Sequence, residues 1–223
     1  MVVGNGLIAN SFSKFKYDDS IVIFASGISD STCKDNSQFL REKELITCQD
    51  KNMKFVYFST YSLSDGSERN NYLLHKIEME YLIESTFENW IILRLPTVVG
   101  HGGNKNNFFN YMSNKLINNE PICVFDNTYR SLIDVDDILP ITEEIIKSMN
   151  NIKIDVSFDN QMLVSEIVSI MTQKIESKSD IFISYDNTNL PIDNNIFKSI
   201  CKNFNNYNSP EYNNKIIKKY LKV

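Results

Sequence analysis

Tyr72 and Lys76 stand four residues apart in a stretch, 72–84, whose apolar residues recur at helical spacing. Residues i and i+4 share one face of a helix, so the phenol and the ammonium are neighbours. An ammonium beside a phenol favours the phenolate and lowers its pKa, giving a usable acid or base near neutral pH. Just upstream, the apolar run Lys54-Phe55-Val56-Tyr57-Phe58 ends in Ser59-Thr60. A hydroxyl there could bind the same reacting oxygen. A third feature lies at the start of the chain. Gly4-x-Gly6-x-x-Ala9 follows the strand-like Met1–Val3 and opens a helix-like run, Leu7–Phe12. In such a turn Gly4 permits the bend, Gly6 lets backbone approach a pyrophosphate, and Ala9 allows close helix–strand contact. The helix N-terminus then offers N–H groups to the anion. The acidic residue expected about 20 positions on, at the end of a second strand, is not evident. Asp18 and Asp19 precede the strand Ile21–Phe24 and sit at its wrong end to hold a ribose.

These groups need a scaffold, and the hydrophobic pattern supplies one. Ile21–Ala25, Lys54–Phe58 and Trp90–Leu95 are continuous apolar runs, the mark of strands buried on both faces. Between them, residues 36–47 and 72–84 read as helices. Strands alternating with helices predict an α/β fold built on a Rossmann-like parallel sheet flanked by helices. The second half is more mixed. Residues 108–117, 138–149, 164–175 and 212–221 read as helices; 122–125, 132–135, 152–158 and 180–185 read as short strands. The expected division is a dinucleotide-binding core over 1–100 and a small mixed α/β substrate lobe over 101–223. A segment around 130–150 returns to the core.

Composition excludes other classes. The 223 residues carry 23 basic against 28 acidic groups, a net charge of −5, which disfavours broad binding of nucleic acid or an anionic membrane. Mean hydropathy is −0.27, and no apolar run approaches the roughly 20 residues of a membrane span. The N-terminus lacks a basic region and a long apolar region, so no secretory signal is expected and the location is read as cytoplasmic. Cys33, Cys48, Cys123 and Cys201 are scattered, with His75 and His101 the two histidines. The expectation is reduced, partly buried thiols and no metal site.

Six segments, in order and over about two thirds of the chain, resemble the extended short-chain dehydrogenases/reductases of the nucleotide-sugar epimerase/dehydratase group. Val2–Ala9 matches the cofactor turn, Ile21–Gly27 the following strand, and Phe55–Thr60 the strand bearing the catalytic hydroxyl. Tyr72–Lys76 matches the active-site helix, Ile92–Gly100 the Leu-Arg strand and loop, and Arg130–Ile138 the block before the return helix. The resemblance implies NAD or NADP as cofactor and a nucleotide sugar as substrate, with a homodimer by analogy. Tyr72 would exchange the proton, Lys76 would hold the nicotinamide ribose, and Thr60, with Ser59 the fallback, would bind the reacting oxygen. Gly4, Asn5, Gly6, Leu7, Ile8, Ala25, Ser26, Gly27 and Leu95 would lie along the cofactor. Thr97 and Arg130 would meet the substrate. For Arg130 a surface ion pair with nearby aspartates is the other reading. Asp136 and Asp137 are expected to cap a helix starting near Ile138. His101 is read as either a substrate contact or a solvated loop residue.

The chain departs from the resemblance between the glycine turn and Ile21. About fifteen residues stand where the family fits a further pair of strands and a helix, the section that binds the cofactor's adenosine half. Keto-sugar reduction in surface-polysaccharide assembly is the favoured activity, because Ser59-Thr60 resembles the reductase motif. Tyr61 and Ser62 stand where dehydratases carry an acidic pair. The alternative is a non-catalytic binding protein that has lost full cofactor binding.

Overall fold

The computed structural model describes residues 1–159, 161–185, 189, 192, 194–200, 202 and 210–221. The last cysteine, Cys201, and much of the asparagine-rich tail lie outside them.

Five parallel strands form the central sheet: β1 (Val2–Val3), β2 (Ile21–Phe24), β3 (Lys54–Thr60), β4 (Trp90–Leu95) and β9 (Ile152–Asp155), side by side in that order. This is the Rossmann-like sheet expected from the sequence. The strand residues alternate between two cores, as the period of two requires. Ile21, Ile23, Val56, Phe58, Ile91 and Leu93 face one; Val22, Phe24, Phe55, Tyr57 and Ile92 face the other.

The helices divide unevenly between these faces. α2 (Asn36–Thr47) and α3 (Asn71–Thr86) cover the second face through Ile46, Met79 and Ile83. α1 (Leu7–Ser11) lies on the first face against α5 (Val135–Ser148). Each step from β1 to β4 moves sideways in the same direction, so the hand of a crossover depends only on the face it covers. The β1–α1–β2 crossover therefore has the opposite hand to β2–α2–β3 and β3–α3–β4. Almost all such units are right-handed, because a right-twisted strand feeding a right-handed helix packs back only that way. With α2 and α3 in that form, α1 lies where a right-handed step would lead outward past β1. Instead the chain turns back through a 3-10 turn at Ser13–Phe15 and enters β2. The return from β4 to β9 also passes over the α1 face, by α5, after the long excursion 96–151.

That excursion carries β5 (Thr97–Val99), α4 (Phe108–Ile117), β6 (Ile122–Phe125), β7 (Tyr129–Arg130) and β8 (Leu132–Asp134). β5 and β8 pair in parallel. Beyond β9 come β10 (Met162–Leu163), α6 (Val164–Ile175), β11 (Ile181–Ser184), α7 (Asn195–Ile200) and α8 (Pro210–Tyr220). β10 pairs with β7 and β11 with β6.

α5 begins three residues earlier than its apolar spacing predicts. Its N-cap is Asp134, whose carboxylate accepts from the Asp136 N–H at 3.0 Å. Asp136 and Asp137 are therefore not the caps expected from the sequence. They tie down α8 instead: Tyr212 donates to Asp137 at 2.6 Å, and Lys219 reaches both Asp134 and Asp136 at 2.7 Å. Tyr220 also donates to Asp134, at 2.6 Å. Among the described residues no helix is long and apolar enough to cross a membrane. Cys33, Cys48 and Cys123 are free, the last two exposed rather than partly buried.

Candidate active site

A cleft of about 1240 Å³ runs along the carboxyl ends of the strands, the usual ligand side of an open α/β sheet. Gly6, Leu7 and Ile8 line one end. Ala25, Gly27, Ser59, Thr60, Tyr72, Lys76 and Leu95 line the middle, and Thr97 and Arg130 the far end. Gly4, Asn5 and Ser26 do not line it. At Gly4, φ is +129° and a Cβ would stand 2.5 Å from the Ala25 carbonyl oxygen, so glycine is required for β1 to approach the end of β2. Ser26 is held by Arg41, which donates to its hydroxyl at 3.1 Å and to its carbonyl at 2.9 Å. At Gly6 a Cβ would meet open space. α1 has only five residues, so its N-terminus adds little dipole to that opening.

Tyr72 is 8% exposed, on the first turn of α3, which Asn70 caps by accepting from the Leu73 N–H at 2.9 Å. The two adjacent hydroxyls at the end of β3 part company. The Thr60 hydroxyl faces the Tyr72 phenol and accepts from the Ser62 N–H at 3.3 Å. Ser59 points away and donates to Glu80 at 2.7 Å. Glu80 is in turn clamped by Arg94, at 2.9 and 2.6 Å. Arg94, within the matched Leu-Arg segment, thus joins β4 to α3.

Lys76 does not lower the Tyr72 pKa as the sequence predicts. Burial pushes the phenol well above its ordinary value, Glu42 and Asp30 push it further, and the Thr60 hydroxyl opposes them. The physical reason is that the ammonium is already engaged. Lys76 Nζ donates to Glu42 at 3.0 Å and to Tyr57 at 2.8 Å, and lies 5.8 Å from the centroid of the Tyr72 ring. Glu42, fully buried on α2, also accepts from Tyr57 at 2.6 Å and from the Ile28 N–H at 2.8 Å. His75 Nε2 lies 3.1 Å from its second oxygen, with the ring stacked on Phe39. Burial alone would raise the Glu42 carboxyl, but Lys76, His75, Tyr57 and the Ile28 N–H together hold it far below the carboxylate range. Burial and Glu42 drive the Tyr57 phenol well up. Sequence reasoning missed Glu42 and Tyr57, because no spacing rule links groups on α2, β3 and α3.

At the far end, Arg130 stacks its guanidinium 5.7 Å from the Phe108 ring centroid. Its Nε is buried with no hydrogen-bond partner. His101 lies outside the lining and packs edge-on against Tyr220 at 5.0 Å.

By sequence, no protein-family profile and no curated protein matches the chain. By structure, it is similar to RMD from Pseudomonas aeruginosa, solved with NADPH (TM-score 0.68, 12% identity, 98% of this chain on 87% of that one). The chain shares the fold of that structure. Similar structures include dTDP-glucose 4,6-dehydratase from Bacillus anthracis with NAD (0.68, 11%, 97% on 79%). UDP-glucuronic acid 4-epimerase from Bacillus cereus, with UDP-glucuronic acid and NAD, is another (0.65, 16%, 97% on 77%).

Proposed function

We propose that the chain is an NAD- or NADP-dependent enzyme that reduces a keto group on a nucleotide-activated sugar, in surface-polysaccharide biosynthesis. The observation that carries this reading is the meeting of Tyr72, Thr60 and Lys76 in one cleft that also takes in the open turn at Gly6 and Arg130, whose buried Nε has no partner. With its pKa above the ordinary value, Tyr72 is protonated at neutral pH. Donation is what a carbonyl oxygen requires as it becomes an alkoxide. Epimerisation through the same ketone would need Tyr72 as a base in its other half, which the raised pKa disfavours.

The residues present fit the nicotinamide half of such a cofactor. Gly6 leaves room beside the turn, and Ala25 and Gly27 line the cleft below it. When bound, the cofactor supplies the hydride. Tyr72 holds the proton for the substrate oxygen, Thr60 offers its hydroxyl to the same oxygen, and Lys76 contacts ligand from the cleft wall. Arg130 offers its buried Nε–H to a phosphate of the nucleotide sugar. A homodimer through α3 belongs to the same proposal, since Leu74 and Tyr81 are exposed on that helix.

The test is Tyr72→Phe with folding checked by circular dichroism. Reduction across a panel of nucleotide-linked keto sugars should fall about a hundredfold or more. Unchanged turnover would remove the mechanism. A second reading, a nucleotide-sugar binding protein without hydride chemistry, is favoured by one observation: β1 lies directly beside β2, with α1 turned back over it. Calorimetric titration separates the two, because the second reading requires no binding of NAD(H) or NADP(H).

A further inference from the structure

Two groups of the chain hold the Lys76 ammonium: Glu42 at 3.0 Å and Tyr57 at 2.8 Å. An ammonium has three N–H donors, so these contacts leave one. Lys76 is 1% exposed yet lines the cleft, as does Gly27. A Cβ at Gly27 would stand 2.9 Å from Lys76 Nζ and 2.9 Å from Glu42 Oε1. The absent Cβ therefore leaves the ion pair uncovered at Gly27, which itself lines the cleft. Glu42 and Tyr57 do not line the cleft. The carboxylate is itself fixed, by the Ile28 N–H at 2.8 Å and by His75 at 3.1 Å on its other oxygen. Because Tyr57 gives its proton to Glu42, its lone pair faces Lys76. A lysine stem alone is flexible, and burying its charge is costly unless it is paired.

We propose that Glu42 and Tyr57 are positioning residues for Lys76: they hold the ammonium so that its third N–H points past Gly27 to a hydroxyl of the bound ligand. This rests on the reading of the cleft as a nicotinamide-cofactor site. Glu42 touches no ligand and acts only through Lys76. That sets it apart from a residue that merely braces α2 against α3, because its effect must vanish when Lys76 is gone.

The experiment is a double-mutant cycle read by NADH fluorescence, with each variant's fold checked by thermal unfolding. Glu42→Gln should weaken NADH about tenfold or more, the scale of a lost charged hydrogen bond. Glu42→Asp should restore most of that loss. Lys76→Met and the double variant Glu42→Gln/Lys76→Met should bind equally weakly, because the losses do not add. If Glu42→Gln leaves an unpaired ammonium and does not fold, Tyr57→Phe with and without Lys76→Met carries the same cycle. Additive losses, or wild-type affinity in both Glu42→Gln and Tyr57→Phe, overturn the inference alone. A wild-type chain that binds neither NADH nor NADPH overturns the functional reading and the inference with it.

Discussion

Glu42 on α2 accepts a hydrogen bond from Lys76 on α3 at 3.0 Å, across 34 residues of sequence. The pair joins the two helices that cover one face of the sheet, so it bears on stability as well as on the site. The Glu42 carboxyl is held far below its ordinary value of 4.5 in the folded chain. A depressed folded-state pKa contributes stability that is complete above the ordinary value and is lost as pH falls below it. Urea midpoints should therefore drop between about pH 6 and about pH 3, and drop less in Glu42→Gln. Equal drops in both proteins would show that the carboxylate contributes nothing to acid stability.

The parting of Ser59 and Thr60 gives a second expectation. Thr60→Val removes the hydroxyl that faces Tyr72 and should lower turnover by about tenfold or more with little effect on stability. Ser59→Ala removes the donor to Glu80 and should do the reverse, costing about 1 kcal/mol of stability while sparing turnover. Chemical denaturation and steady-state rates on both variants decide it. Loss of turnover in Ser59→Ala alone would reassign the catalytic hydroxyl.

The upward shift of Tyr72 fixes the shape of a pH profile. The phenol form predominates below the raised pKa, and the ordinary value is already 10.0. Keto reduction should hold level from about pH 6 to about pH 9 at saturating substrate. A descending limb near neutrality, absent in a Tyr72→Phe background, would mean that the phenol is acidified after all.

The reversed first crossover predicts a loose grip on half of the cofactor. Doubly wound sheets hold one nucleotide on each side of the strand where the order reverses. Here the order runs outward from β1 without reversal. Reduced nicotinamide mononucleotide should bind within about threefold of NADH, and NADPH should match NADH. A preference for NADH over the mononucleotide of about tenfold or more would place adenosine contacts elsewhere in the molecule.

The Asp134 clamp gives a prediction about the C-terminal helix. Asp134 is 7% exposed, and its carboxylate accepts from Tyr220, Lys219 and the Asp136 N–H. Asp134→Ala should destabilise by about 2 kcal/mol, through the lost helix cap and the lost acceptor for Tyr220. The Tyr220 phenol, which burial and Asp134 push up to about 12, should then titrate lower. Ultraviolet titration and a thermal melt check both parts.

The sheet and its flanking helices were legible because each strand is a continuous apolar run and each helix repeats at its own period. Residues 36–47 read as α2 to the residue, and Tyr72 and Lys76 fell on one helix as their spacing demanded. What sequence could not supply was direction. Whether Lys76 turns toward Tyr72 or toward a carboxylate on another helix depends on tertiary packing, and no local pattern around Glu42 announces it. The same holds for α5. Its apolar stripe marked the body of the helix, but the capping aspartate was identified only when Asp134 was seen accepting from the Asp136 N–H. α7 went unread because a six-residue helix in an asparagine-rich tail has too few turns to show a period.

The face chosen by α1 also bears on the order of assembly. Its partner on that face is α5, about 125 positions downstream, so local contacts give α1 little reason to settle early. During synthesis α1 finds its place late, once residue 148 has followed. α1 is thus the closing piece of its own core, and the Asn10 amide, bonded to the Gly6 carbonyl, is the one to watch in a refolding experiment by pulsed hydrogen exchange.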